Sequence, residues 1–85
     1  MKLGPQDIKP IINRLKRAQG QLNAVTRMME EGAECQKVVT QLAAVSKALD
    51  RAGFAIISTG LQQCLASDEP ELDAKQLEKM FLSLA

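Results

Sequence analysis

Ile8, Ile11, Ile12, Leu15, Ala18, Leu22, Val25 and Met29 recur at steps of three and four residues, with basic and amide side chains between them. That period predicts one amphipathic helix from Asp7 to Glu31. Asp7 is placed to cap it, Pro10 then falls in its first turn where the missing N–H costs little, and Gly32 marks its end. Gly20 weakens its middle by roughly 1 kcal/mol relative to alanine. From Cys35 to Ala66 no breaker interrupts the chain, which predicts a second helix of unusual length, closed by Ser67, Asp68, Glu69 and Pro70. A shorter third helix is expected over Asp73 to Leu84, with Leu72, Leu77, Met80, Phe81 and Leu84 on one side.

The second helix is apolar on more than one side. Val38, Leu42, Val45, Leu49, Ala52 and Ile56 form one stripe, and Val39, Ala43, Ser46, Gly53 and Ile57 an adjacent one. One neighbouring helix cannot cover both. A helix of this length is a rod of roughly 48 Å, whereas a compact domain of this size has a radius of gyration of about 12 Å. The rod is therefore expected to pair with a second copy of itself, with Ala44, Ala48, Ala52 and Ala55 allowing close approach.

Composition supports the helical reading. Only Phe54 and Phe81 are aromatic, and leucine, alanine, glutamine, glutamate and lysine dominate, so the fold class is all-α, a single domain over residues 1–85. A chain of 85 residues buries too small a fraction of its surface to be comfortable alone, which again points to an oligomer. No run of about 18 apolar residues is present, and the opening stretch MKLGPQD turns polar before a signal-peptide core forms. A cytoplasmic protein with reduced thiols is the expectation.

Charge is distributed unevenly. Up to residue 29 the chain carries six basic side chains, Lys2, Lys9, Arg14, Lys16, Arg17 and Arg27, against Asp7 alone, while Glu30, Glu31 and Glu34 follow in a cluster. The basic portion can face a polyanion; the bland alternative is a solvated helix face.

The chain has two cysteines, Cys35 and Cys64, and no histidine. On a continuous helix they return to within about 20° of the same face but stand about 43 Å apart. An intrachain disulfide, which needs Cα atoms within about 7 Å, is excluded unless the helix breaks. Against an antiparallel copy related by a two-fold axis near Leu49 and Asp50, Cys35 of one chain comes opposite Cys64 of the other, twice per dimer. Such a thiol pair can bind a soft metal, form a disulfide or trap reactive sulfur, or both thiols can simply pack as small hydrophobes. Cys35 is expected near a helix start, where the dipole favours thiolate, with the three nearby glutamates opposing.

The run NRLKRAQGQLNAVTRMMEEGAECQKVVTQLAAVSKALDRA followed by LQQC resembles the CsoR-type family of small bacterial repressors over roughly residues 8–66. The resemblance implies a three-helix protomer, an antiparallel dimer, a disc-like tetramer, and DNA binding without a helix-turn-helix. In copper-sensing members Cu(I) is held by a cysteine of one chain and by a histidine and a cysteine, four residues apart, of the other. Cys35 and Cys64 match the cysteines, but the histidine position falls on Gly60. Two thiolates alone can still hold Cu(I), a soft ion, without the third ligand. Nickel and cobalt sensing, which relies on histidines, is disfavoured, and the formaldehyde-sensing branch has a proline where this chain has Lys2. Two cysteines without the histidine resemble the persulfide-sensing CstR branch. For DNA, the resemblance carries over to Arg14 and Arg51, with Lys16 and Arg17 of the same RLKR segment as further candidates.

The reading that follows is a homotetrameric repressor, with no resident cofactor or metal, that binds operator DNA. It is released when persulfide or polysulfide joins Cys35 to Cys64 of a partner chain through a di- or polysulfide. The alternatives are Cu(I) sensing through two thiolates, a persulfide-carrying sulfurtransferase, or an inert helical oligomer. The enzyme alternative has no acid, base or oxyanion constellation to support it.

Overall fold

A computed structural model describes residues 3–66 and 74–85. Of Cys64, Leu65 and Ala74 only the backbone placement is described, and the expected breaker at 67–70, Leu72 and Asp73 lie outside the described residues. The described residues form three helices, α1 (Pro5–Glu30), α2 (Cys35–Ala66) and α3 (Ala74–Leu84).

α1 starts earlier than Asp7. Gly4 is the N-cap, with no side-chain cap bond, and Pro5 opens the helix. Asp7 is by intrinsic preference the better cap, but proline at the first position fixes a helical φ and loses an N–H that would be unpaired anyway. Asp7 therefore sits in the first turn, where its carboxylate complements the helix dipole. Pro10 lies inside the helix rather than in its first turn.

The end of α1 follows from one glycine. Gly32 has φ +76°, a conformation that costs other residues about 1 kcal/mol or more. It allows Ala33 N–H to reach Met28 C=O at 2.9 Å and Gly32 N–H to reach Met29 C=O at 3.2 Å, which satisfies carbonyls at the helix end. Two residues later Glu34 C=O accepts from Lys37 and Val38 N–H at 3.0 and 3.1 Å, so Cys35 occupies the first position of α2. The chain thus reverses in a short turn tied at both sides by backbone hydrogen bonds, and α2 runs back along α1.

The seam between them is narrow. Among the described residues the buried apolar side chains are Ile11, Ala18 and Val25 of α1, Val45 and Ala52 of α2, and Leu77 of α3. The α1 set and the α2 set each repeat every seven residues, the spacing of two helices packed side by side. Ala52, 0% exposed, is thus spent within the chain and is not free to meet a second copy. α3 packs on the far part of α2. Phe54 and Phe81 rings lie 5.1 Å apart between centroids, and a Cβ at Gly53 would stand 2.6 Å from Leu84 Cδ1, so a glycine there lets α3 close.

The helices lie in a single layer. The Cα envelope is 55 × 25 × 12 Å with a radius of gyration of 16.4 Å, against about 12 Å for a compact chain of this length. The protomer exposes 6675 Å², where a compact monomer of this size exposes about 5000 Å². A layer one helix thick has two broad faces, and their chemistry differs.

Candidate functional site

One face is basic. Arg14 and Arg17 of α1 and Arg51 of α2 line a groove of about 340 Å³ together with Gln21 and Ala48. On α1 positions 14, 17 and 21 fall on one stripe, and α2 presents 48 and 51 beside it. Ala48, a small residue, lines the groove beside the arginines. Three guanidinium groups surround one concavity, with no carboxylate among its described lining residues, and planar guanidinium forks of this kind suit phosphate oxygens. Toward the turn the same side becomes mixed, with Lys37 and Glu34 beside Gln36, Thr40 and Gln41.

The other face is apolar. Ile12, Leu15, Leu22, Val45 and Leu49 line a groove between α1 and α2. A second groove at the turn end is lined by Met29, Ala33, Cys35, Val38, Val39 and Leu42. Leu49 is 47% exposed and Met29 67% exposed. Cys35 is a free, exposed thiol at this end of the face.

The structure separates the sequence candidates. Arg14, Arg17 and Arg51 come together, but Lys16 lines the apolar groove on the opposite side, because one residue along a helix turns the side chain by about 100°. Cys35 and Cys64 lie at the two ends of the unbroken α2. Their 29-residue separation makes any contact between them a matter for two chains. Gly60, one turn before Cys64, is buried, which is the behaviour of a packing glycine. Met29 is a residue that the sequence candidates miss; it lines the same groove as Cys35, the 31–34 turn bringing the end of α1 next to the start of α2. A methionine six residues before a cysteine, across a glycine turn, is the signal that could have found it.

For a soft monovalent metal the donor set is short. Among the described residues no three of cysteine, histidine, aspartate or glutamate gather in a metal-binding group. Cys35 is the one thiol among the described residues lining its groove, which it shares with Met29, so any metal there would have to draw further ligands from a second chain.

The model for metal-sensitive transcriptional repressors matches residues 7–83. The chain belongs to this family. Relatives include a protein of Bacillus subtilis, YrkD, whose function is uncharacterized, 45% identical over 58 residues, covering 67% of this chain and 92% of its own. The copper-sensing repressor CsoR of Mycobacterium ulcerans is 39% identical over 56 residues, covering 66% of this chain and 48% of its own length. The copper-sensing repressor RicR of Mycobacterium tuberculosis is 35% identical over 69 residues, covering 76% of this chain and 72% of its own. The match thus spans about half the length of the CsoR relatives. No solved structure matches the chain. The three-helix architecture of this family member agrees with the all-α expectation, and among its described residues no helix is long and apolar enough to cross a membrane.

Proposed function

We propose that this chain is an operator-binding repressor that assembles through its apolar face, meets DNA with its arginine face, and senses reactive sulfur through Cys35 and Cys64 of two different chains. The observation that carries this reading is the two-sidedness of the layer: three arginines on one side, and an apolar surface ending at an exposed thiol on the other. An antiparallel dimer about Leu49 covers that surface and brings each Cys35 to a Cys64, and dimers joined in pairs make the tetramer. Phosphate contacts by Arg14, Arg17 and Arg51 supply salt-dependent affinity. As a DNA-binding protein it acts in the cytoplasm.

The chemistry balances without an outside oxidant beyond the inducer. The Cys35 thiolate attacks the outer sulfur of an organic persulfide, giving Cys35–S–SH and releasing the thiolate of the carrier. The Cys64 thiolate of the partner chain then attacks Cys35 Sγ, forming the interchain disulfide and releasing HS⁻. Where both cysteines carry the extra sulfur, their reaction leaves a trisulfide and H₂S. The bridge fixes the ends of two antiparallel α2 rods together, and this favours an arrangement of arginine faces that fits DNA poorly.

A second reading is Cu(I) release, favoured by the copper-sensing relatives and by Met29 lining the Cys35 groove. Operator binding followed by fluorescence anisotropy separates the two. Organic persulfide is expected to weaken the operator affinity of the reduced protein by about 10-fold or more. Cys35→Ser abolishes the response; Cys64→Ser still acquires one sulfur at Cys35 by intact mass but neither bridges nor lets go of DNA. Release by Cu(I) with no effect of persulfide would transfer the proposal to the copper reading, and Met29→Leu would then lower Cu(I) affinity.

A further inference from the structure

The α1–α2 hairpin is closed by the 31–34 turn at one end, and at the other end by side chains. Gln63 Nε2 donates to Asp7 Oδ2 at 3.2 Å across 56 positions of sequence. Gly4 makes room for this contact: a Cβ there would stand 3.0 Å from Asp7 Oδ2 and 3.9 Å from Gln63 Nε2, so any larger residue would push the carboxylate aside. Asp7 is held through its backbone as well, its N–H donating to Gly4 C=O at 3.0 Å.

The position of this contact matters because of what lies on either side of it. Gln63 immediately precedes Cys64 in the last turns of α2. Asp7 lies seven residues, two turns, before Arg14 on nearly the same stripe of α1. We propose that Asp7 and Gln63 are positioning residues, forming a clasp that carries the state of Cys64 to the arginines of α1. The inference rests on the repressor reading above. With the clasp closed, α1 is pinned to α2 at both ends and Arg14 and Arg17 are held against Arg51. A covalent bond from Cys64 to a second chain pulls on the turn that presents Gln63. From 3.2 Å, a shift of about 0.5 Å already takes the pair beyond hydrogen-bonding range. Once it opens, the N-terminal turns of α1 are free to move relative to α2, and the arginine groove loses its shape.

The test compares operator affinity of the reduced and persulfide-bridged full-length protein. Gln63→Ala and Asp7→Ala are expected to cut the ratio of the two affinities by about 5-fold or more, chiefly by weakening the reduced form. Asp7→Asn keeps a carbonyl acceptor and retains most of the ratio. The double alanine variant should behave like either single one, since both remove the same hydrogen bond. Neither residue is buried, so helicity by circular dichroism is expected to stay unchanged. An unchanged ratio in Gln63→Ala, or alanine effects that add independently, would overturn the clasp. Bridge formation is read on the same samples by intact mass. Should the unsubstituted protein fail to bridge, the sulfur reading falls; the clasp is then decided by the cycle on reduced-protein affinity, where additivity overturns it and non-additivity upholds it.

Discussion

Leu49→Glu yields a helical protomer that no longer assembles. Leu49 is 47% exposed in the single chain and lines the apolar groove, so a glutamate there meets water and leaves the Val45–Ala52 seam intact. In the proposed dimer the same position lies midway between Cys35 and Cys64, close to the two-fold axis. Two carboxylates would be buried there facing each other, each costing on the order of 2–3 kcal/mol even after partial relaxation. The dissociation constant should rise by roughly 10³-fold or more, and sedimentation at micromolar concentration should show monomer where the unsubstituted chain is expected to run as a tetramer. Operator binding and persulfide bridging disappear together, because both depend on the pair. An assembly unaffected by this change would place the interface elsewhere than the Ile12, Leu15, Leu22, Leu42 and Leu49 face.

Arg14→Ala and Arg51→Ala are expected to have the second largest effect. Each substitution is repeated in every copy, so it leaves at least two phosphates of the complex without their guanidinium partner. Affinity should drop on the order of 10–100-fold near 0.1 M salt, and the slope of log affinity against log salt should flatten by about one for each phosphate no longer neutralised. The difference from the unsubstituted protein therefore narrows as salt rises. Arg17→Ala belongs with these two. Lys16→Ala should leave the salt dependence unchanged, since Lys16 lines the opposite groove. Equal effects of Lys16→Ala and Arg17→Ala would contradict the assignment of the DNA face.

Legibility from sequence differs between elements. The three helices are legible, because the three-and-four spacing from Ile8 to Met29 and the unbroken run from Cys35 to Ala66 leave no other regular structure. The start of α1 is not, since side-chain capping preference favours Asp7 over Gly4 and the effect of Pro5 is easily undercounted. Nor is the division of labour on α2. Periodicity shows that two stripes are apolar but not which of them α1 takes; only with Val45 and Ala52 in the seam do Leu42 and Leu49 become the free surface. For the same reason the alanine stripe reads in sequence as a surface for a second copy, whereas Ala52 packs within the chain and Ala48 floors the arginine groove. Lys16 and Arg17 are neighbours in sequence and opposites in space, a distinction that needs the orientation of α1.

The pairing of thiols between chains is the claim on which the sensing account rests, and one mixing experiment addresses it. Cys35→Ser and Cys64→Ser chains are each unable to form the proposed bridge alone. Mixed under conditions that allow subunit exchange, they give antiparallel heterodimers with one intact Cys35–Cys64 pair. Treatment with organic persulfide followed by intact-mass and peptide mapping should then show a covalent heterodimer in the mixture and in neither component, with the linkage between Cys35 of one chain and Cys64 of the other. A bridge within one chain, a Cys35–Cys35 dimer in the Cys64→Ser protein, or no bridge in the mixture would contradict the account.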